Sequence, residues 1–257
     1  NASQFSIFDM DEAEEDDVSL PLPQCEPWGS YEQIKNEKEV AGFYISGHPL
    51  DEFKPIVQNF ASVNLTQVSD EEYMAKYHIS GKPFAFVAIV TDVVNKITRT
   101  NREFGTITLE DYDHSWQWTI FGEEYSKFKH FFEKGKRLFI RARLNVKKWR
   151  DKVTGVETVR TDILPMEIHY LEEAYEKLCT ELTLVMSIRD VNTQAAEALK
   201  NLIENNKGNV PFNLRIYEQG DVFYSDFFNF STKINPEELI KSVSKDDLPF
   251  SYKIEMK

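Results

Sequence analysis

Between Pro83 and about Pro165, apolar runs are interrupted by polar breaks at intervals that predict five strands and one helix. The strands are Phe84 to Val93, Phe104 to Leu109, Trp116 to Phe121, Leu138 to Val146 and roughly Glu157 to Leu164, with a polar turn from Lys96 to Arg102 after the first. Tyr125, Phe128, Phe131 and Phe132 recur at helical spacing between the third and fourth strands. Along the fourth strand, Leu138, Ile140, Ala142, Leu144 and Val146 share one face by the two-residue period, which turns Phe139, Arg141, Arg143 and Asn145 to the other.

Three strands, a helix and two more strands are the order of an OB-fold, a small partly open five-stranded β-barrel. Such barrels commonly take oligonucleotides on strands two and three and in the turns after strands one and four, here termed L12 and L45. The flanking segments differ in pattern. Ser30 and Gln33 have the spacing of a capping box, predicting a helix that runs to about Phe43 and is stopped by Ser46-Gly47-His48-Pro49. A second helix places Phe53, Ile56, Val57 and Phe60 on one face, and a third spans Asp70 to Tyr77. After a linking helix, Glu172 to Cys179, the chain reads strand (Leu182–Met186), helix (Ala195 to Ile203, capped by Gly208), and two strands (Val210–Tyr217 and Val222–Phe230) flanking a hairpin at Gln219-Gly220. A helix opened by Asn235-Pro236 and a last strand, Leu248 to Glu255, complete the order β-α-β-β-α-β, which suggests a ferredoxin-like sandwich. The expected class is therefore α+β and multidomain: a flexible acidic tail and linker (1–27), a helical segment (28–80), the barrel (81–167) and a C-terminal partner-binding domain (168–257).

Charge sharpens this division. The 257 residues carry a formal net charge of −13, which argues against contact with phosphate backbones. Yet residues 81–160 hold 16 Lys and Arg against 10 Asp and Glu, while the segments on either side are acidic. The one basic third of the chain is the predicted barrel. The 2 cysteines, Cys25 and Cys179, have no metal-binding spacing, and no apolar run approaches a membrane span, so a reduced, cytoplasmic protein is expected. His48 sits before a proline at a helix junction and is read as a turn residue. The acidic cluster Glu110, Asp111 and Asp113 is read as a solvated loop, not as a metal site. No nucleophile, base and oxyanion constellation is legible.

The stretch from Glu37 to Asp51, EKEVAGFYISGHPLD, closely resembles a signature in the C-terminal region of the bacterial replicative DNA polymerase III alpha subunit. The resemblance covers essentially the whole chain. It implies an OB domain followed by a domain that binds the tau subunit of the clamp loader. Gln4-Phe5-Ser6-Ile7-Phe8 resembles the family's sliding-clamp peptide, with Ile7 where Leu is usual; adjacent large apolar side chains suit a partner's pocket. The resemblance also implies that the full-length protein is a DNA-directed DNA polymerase. Its palm carboxylates, with their divalent metal, expected to be Mg, would lie upstream, so this fragment is expected to be inactive alone and to hold no cofactor.

A groove for single-stranded DNA needs cations for phosphates and planar groups for bases. L12 offers Lys96, Arg99 and Arg102; strand four offers Arg141 and Arg143; L45 offers Lys147, Lys148, Trp149, Arg150 and Lys152, with Trp149 as the candidate stacking residue. Trp116 and Trp118 share a face and are expected in the core; turned outward, they would form a second platform. The alternative reading is an OB-fold module for protein contact without significant DNA affinity.

Overall fold

A computed structural model describes residues 29–150, 157–218, 224–245 and 248–256. The clamp-like peptide Gln4 to Phe8, the acidic tract, Cys25, Lys152, the Gln219-Gly220 hairpin and Phe223 lie outside the described residues. The chain divides into two compact units, Asn1–Gly47 and His48–Lys257.

In the first unit, helix α1 spans Ser30–Ala41 and ends on Gly42, whose φ of 83° is the left-handed conformation that favours glycine. The N-cap is Gly29, not Ser30, so the capping box expected there does not form. The loop after α1 is instead held by Glu37. Its carboxylate accepts the Ser46 hydroxyl at 2.5 Å and the amides of Ser46 and Ile45 at 2.8 and 3.2 Å. Stabilised first by the Ser46 hydroxyl and then by its amide, the Glu37 carboxyl is lowered to a pKa of about 2.

The second unit opens with a short 3-10 turn and three helices: α2 (Lys54–Phe60), α3 (Leu65–Ser69) and α4 (Glu71–Ser80). A capping box does occur here, at Asn64 and Gln67 of α3. Asp70 caps α4 by accepting the amides of Glu72 and Tyr73.

Five strands follow: β1 (Phe84–Ile97), β2 (Glu103–Glu110), β3 (Ser115–Phe121), β4 (Arg137–Arg150) and β5 (Glu157–Tyr170), with α5 (Gly122–Phe128) between β3 and β4. Their sheet order, β3-β2-β1-β4-β5, is the OB arrangement. β1 serves two partners. Its first half, Phe84 to Ile89, pairs with β4, and from Ile89 onward it pairs with β2, with an irregularity between Val90 and Asp92 at which the strand bends. β3 and β5 are the ends of the sheet, and the Trp118 indole spans the gap, its Nε1 donating to the Ile163 carbonyl at 3.1 Å. The interior is filled by Phe84, Phe86, Ile107, Leu109, Trp118, Ile120, Leu138 and Ile140, with Leu65, Val68 and Met74 of α3 and α4 joining them. Trp118 is thus a core residue, and Trp116 is partly buried against Phe86.

Helix α6 (Leu171–Leu178) leads to a second sheet made of β6 (Cys179–Ser187), β7 (Lys207–Glu218), β8 (Tyr224–Ile234) and β9 (Ser251–Met256), with α7 (Thr193–Asn205) and α8 (Pro236–Lys245) as connections. The expected β-α-β-β-α-β order is present, but the ferredoxin-like sandwich is not. A split βαβ unit has a strand inserted between its parallel pair. Here β6 and β7 are parallel and directly hydrogen-bonded, in the order β8-β7-β6-β9. Gly208 does not cap α7 either; Asn206 does. Gly208 lies in β7 with the backbone of Ile234 so close that a Cβ would stand 2.5 Å from its carbonyl carbon.

The two sheets share one apolar cluster. Ala85, Val87, Ile89 and Phe139, on the outer face of β1 and β4, pack in it with Ile56 and Phe60 of α2, Leu171, Ala174 and Leu178 of α6, and Leu182, Leu184 and Phe212 of the second sheet. This explains the uninterrupted run Phe84 to Val90: β1 is buried on both faces there, inside against the barrel core and outside against helices.

Candidate nucleic-acid interface

Among the described residues, the open face of the barrel is the outer side of β2, β3 and the second half of β1. Register places Lys96, Phe104 and Phe121 side by side across the three strands. The rings of Phe104 and Phe121 stack at 5.1 Å between centroids with planes 19° apart, and Phe121 is 42% exposed. The next row is Val94, Thr106 and Thr119, with the two threonine hydroxyls 3.3 Å apart. A stacked aromatic pair on strands two and three, Phe121 exposed and Phe104 half-buried, is a planar platform of the kind on which bases stack.

Phe121 lies between the two edges of this face. On one side it lines a cavity of about 970 Å³ with Thr98, Asn101 and Arg102 of L12. On the other it lines a smaller one, about 90 Å³, with Asn145 of β4 and Asp162 and Ile163 of β5, in the gap that the Trp118 indole spans. The L12 turn is tight: the Thr98 and Arg102 backbones are bonded, and the Thr98 hydroxyl accepts the Arg102 amide at 3.0 Å. Asn101 takes a left-handed φ of 58° in it.

The sequence-predicted cations are distributed unevenly around this face. Lys96, Arg99 and Arg102 are exposed, and none is in an ion pair among the described residues. Lys96 belongs to β1, since the strand continues to Ile97 and takes in the first two residues of the expected turn. Arg141 is drawn instead to Glu167 of β5, at 3.1 Å, and is only 21% exposed. That pairing spends its charge inside the fold. Arg143 is exposed. Lys147, Lys148, Trp149 and Arg150 are not turn residues: β4 runs on through Arg150, paired with β5 from Lys147↔Arg160 to Arg150↔Glu157, so L45 is a long ribbon.

One further reading changes, and one stands. The acidic turn after β2 is not simply solvated. Asp111 is 6% exposed; its Oδ2 accepts the Leu65 amide at 2.7 Å, which holds the start of α3, and its Oδ1 accepts the amides of Asp113 and His114. Among the described residues no group of three or more His, Cys, Asp or Glu is placed to hold a metal ion. The role expected for His48 in its turn is the one observed: Nδ1 accepts the Leu50 amide at 3.2 Å, and the ring packs on Tyr112 with centroids 4.5 Å apart. Asp51 accepts the His48 amide at 2.7 Å, the main cause of its lowered pKa. Within the signature, Glu37 and Ser46, and His48 and Asp51, thus act as structural clasps.

The residues that sequence reasoning missed are Phe104 and Phe121. Each stands at a predicted strand end; only the β2–β3 register brings them together. The signal available was that both fall on the face opposite Ile107, Leu109, Trp118 and Ile120.

No family model matches the chain. Curated relatives do. DNA polymerase III subunit alpha of Escherichia coli strain K12 is 21% identical over 237 residues, 91% of this chain and 19% of the relative. The subunit of Aquifex aeolicus is 26% identical over 191 residues, 74% of this chain and 15% of the relative; that of Treponema pallidum is 36% identical over 80 residues, 31% of this chain. Among solved structures, the mitochondrial single-stranded DNA binding protein Rim1 of S. cerevisiae aligns with 35% of this chain and 92% of its own at 13% identity and a TM-score of 0.24. A small single-stranded DNA-binding protein of Streptomyces coelicolor aligns with 35% of this chain at 15% identity and a TM-score of 0.23. The chain spans about a fifth of the length of the curated relatives it matches first. Over most of its length the chain is similar to the bacterial DNA polymerase III alpha subunit, and the likeness is to the C-terminal region of that longer protein.

Proposed function

We propose that this chain is the accessory region of a bacterial replicative DNA polymerase and that its barrel holds single-stranded template DNA. The observation that carries the reading is the Phe104–Phe121 stack, set between the L12 cations and the β4–β5 ribbon. Bases stack on the pair while Lys96, Arg99, Arg102 and Arg143, with the basic ribbon residues, neutralise phosphates. The peptide Gln4 to Phe8 tethers the region to the sliding clamp, and the C-terminal sheet and helices to the clamp-loader tau subunit. In the full-length cytoplasmic protein this region keeps template and clamp beside a catalytic core that this fragment lacks.

Titration of a labelled oligonucleotide at two ionic strengths tests the barrel's role. With about five phosphates neutralised, log affinity falls against log salt with a slope of roughly −3.5. Phe121→Ala costs about 1–3 kcal/mol of binding. No binding, or affinity insensitive to salt and to the loss of Phe121, supports the rival use of the barrel for protein contact. Deleting Ile7 and Phe8 removes clamp binding; its persistence locates that contact elsewhere.

A further inference from the structure

The larger cavity beside Phe121 has a mixed lining that a plain phosphate groove would not have. Arg102 stands on its L12 side, and Glu123 and Glu124 stand on its α5 side. Neighbouring Glu103 is already engaged by Lys129 at 2.8 Å. Glu123 and Glu124 are in no ion pair among the described residues; both line the larger cavity together with Phe121, and Glu124 and Phe121 line the smaller one as well. Unpaired carboxylates repel a phosphodiester but accept hydrogen bonds from base N–H groups. Lys96 and Arg99 stand outside the cavity lining, so the strand's backbone is steered toward them while a base is left to face the two glutamates.

Resting on the single-strand reading above, we propose that this cavity is a base subsite selective for guanine. Guanine alone presents two adjacent N–H donors, N1–H and the exocyclic N2 amine, to the two oxygens of one carboxylate while its face stacks on Phe121. Thymine offers one N–H between two carbonyls, which face the same carboxylates unfavourably. The geometry needs only one such nucleotide; the rest of the strand binds without regard to sequence.

The test uses the chain as it stands and mixed-pyrimidine oligonucleotides that differ at one central position, dG, deoxyinosine or dT, so that guanine cannot self-associate. Binding of the dG strand is expected to be about 5- to 10-fold tighter than that of the dT strand, the low end for a bidentate contact because the cavity is open. Deoxyinosine, which lacks the N2 amine, is expected to lose most of that advantage. Glu123→Gln with Glu124→Gln, at positions whose side chains support no described ion pair, removes the preference and tightens the dT strand, because the repulsion of its phosphates is relieved. Equal affinity for dG and dT strands in the parent chain, or a dG preference that survives the double substitution, overturns the subsite while salt-dependent binding of all strands leaves the barrel's role standing. Failure of every strand to bind at low salt overturns both.

Discussion

Arg137 and Glu172 are joined by two donors onto one oxygen, Nε at 3.0 Å and Nη2 at 2.7 Å to Glu172 Oε1. The same guanidinium reaches Glu52 at 3.1 Å through Nη1 and lies over the Phe53 ring at 4.5 Å. Arg137 is only 13% exposed, so one side chain from β4 fastens the helical segment before the barrel and the helix after it. Arg137→Met keeps the apolar stem but removes every donor, and about 1–3 kcal/mol of stability should go with it. A double-mutant cycle with Glu172→Gln, read by urea unfolding, checks the assignment; coupling indistinguishable from zero would sink it.

Phe139 carries a larger load. It is fully buried on the outer face of β4, with Phe60 of α2 edge-on at 6.5 Å, in the cluster that also contains the second sheet. Phe139→Ala should cost about 3–5 kcal/mol. Because that cluster is continuous, the barrel and the second sheet should lose structure in one transition. In a Trp28→Phe chain, tryptophan fluorescence reports the barrel, whose strands carry Trp116, Trp118 and Trp149, and amide exchange in β6 reports the second sheet. Well-separated midpoints would show that the cluster does not couple them.

Gly105 of β2 has no room for a side chain. A Cβ built there stands 2.2 Å from Cε2 of Tyr125, whose hydroxyl donates to the Asn95 side chain. Gly105→Ala should therefore destabilise by about 1–3 kcal/mol through overpacking, and the added substitution Tyr125→Leu should recover part of it. An unaltered melting temperature in Gly105→Ala would mean that the Tyr125 ring is free to swing away.

Acid should release the loop after α1 late. The Glu37 carboxyl is lowered from 4.5 to about 2 by the Ser46 and Ile45 donors, so its contribution is fully present above pH 4.5 and is lost as pH falls toward 2. An NMR titration should place the midpoint of the Ser46 amide shift near 2, and Glu37→Gln should abolish that transition. A midpoint near 4.5 would show that the carboxylate is not held by these donors.

Much of this molecule is legible without coordinates because its signals are local. Alternation along Leu138 to Val146, the helical spacing of Tyr125 and Phe128, and the Asn235-Pro236 start all depend on neighbours a few residues away, and all correspond to observed elements. The side-chain oxygen of Asn235 accepts the Glu237 amide at 3.1 Å, as an N-cap does. The basic third of the chain and the OB order of strands belong to the same class of evidence.

Composition and periodicity alone determined, then, which segments are strands and helices and which third is cationic, while the stretch from Glu37 to Asp51 carried the family resemblance. The tertiary structure decided the rest, because each remaining point is a pairing between residues far apart in sequence. Arg141 finds Glu167 across the β4–β5 pair; Asp111 finds the Leu65 amide and becomes buried; β6 finds β7 directly and excludes the split βαβ arrangement. Phe104 and Phe121 become a platform only when the β2–β3 register sets them opposite each other on the open face. Such meetings depend on chain closure and packing, whose free energies are properties of the whole fold and leave no local pattern to read.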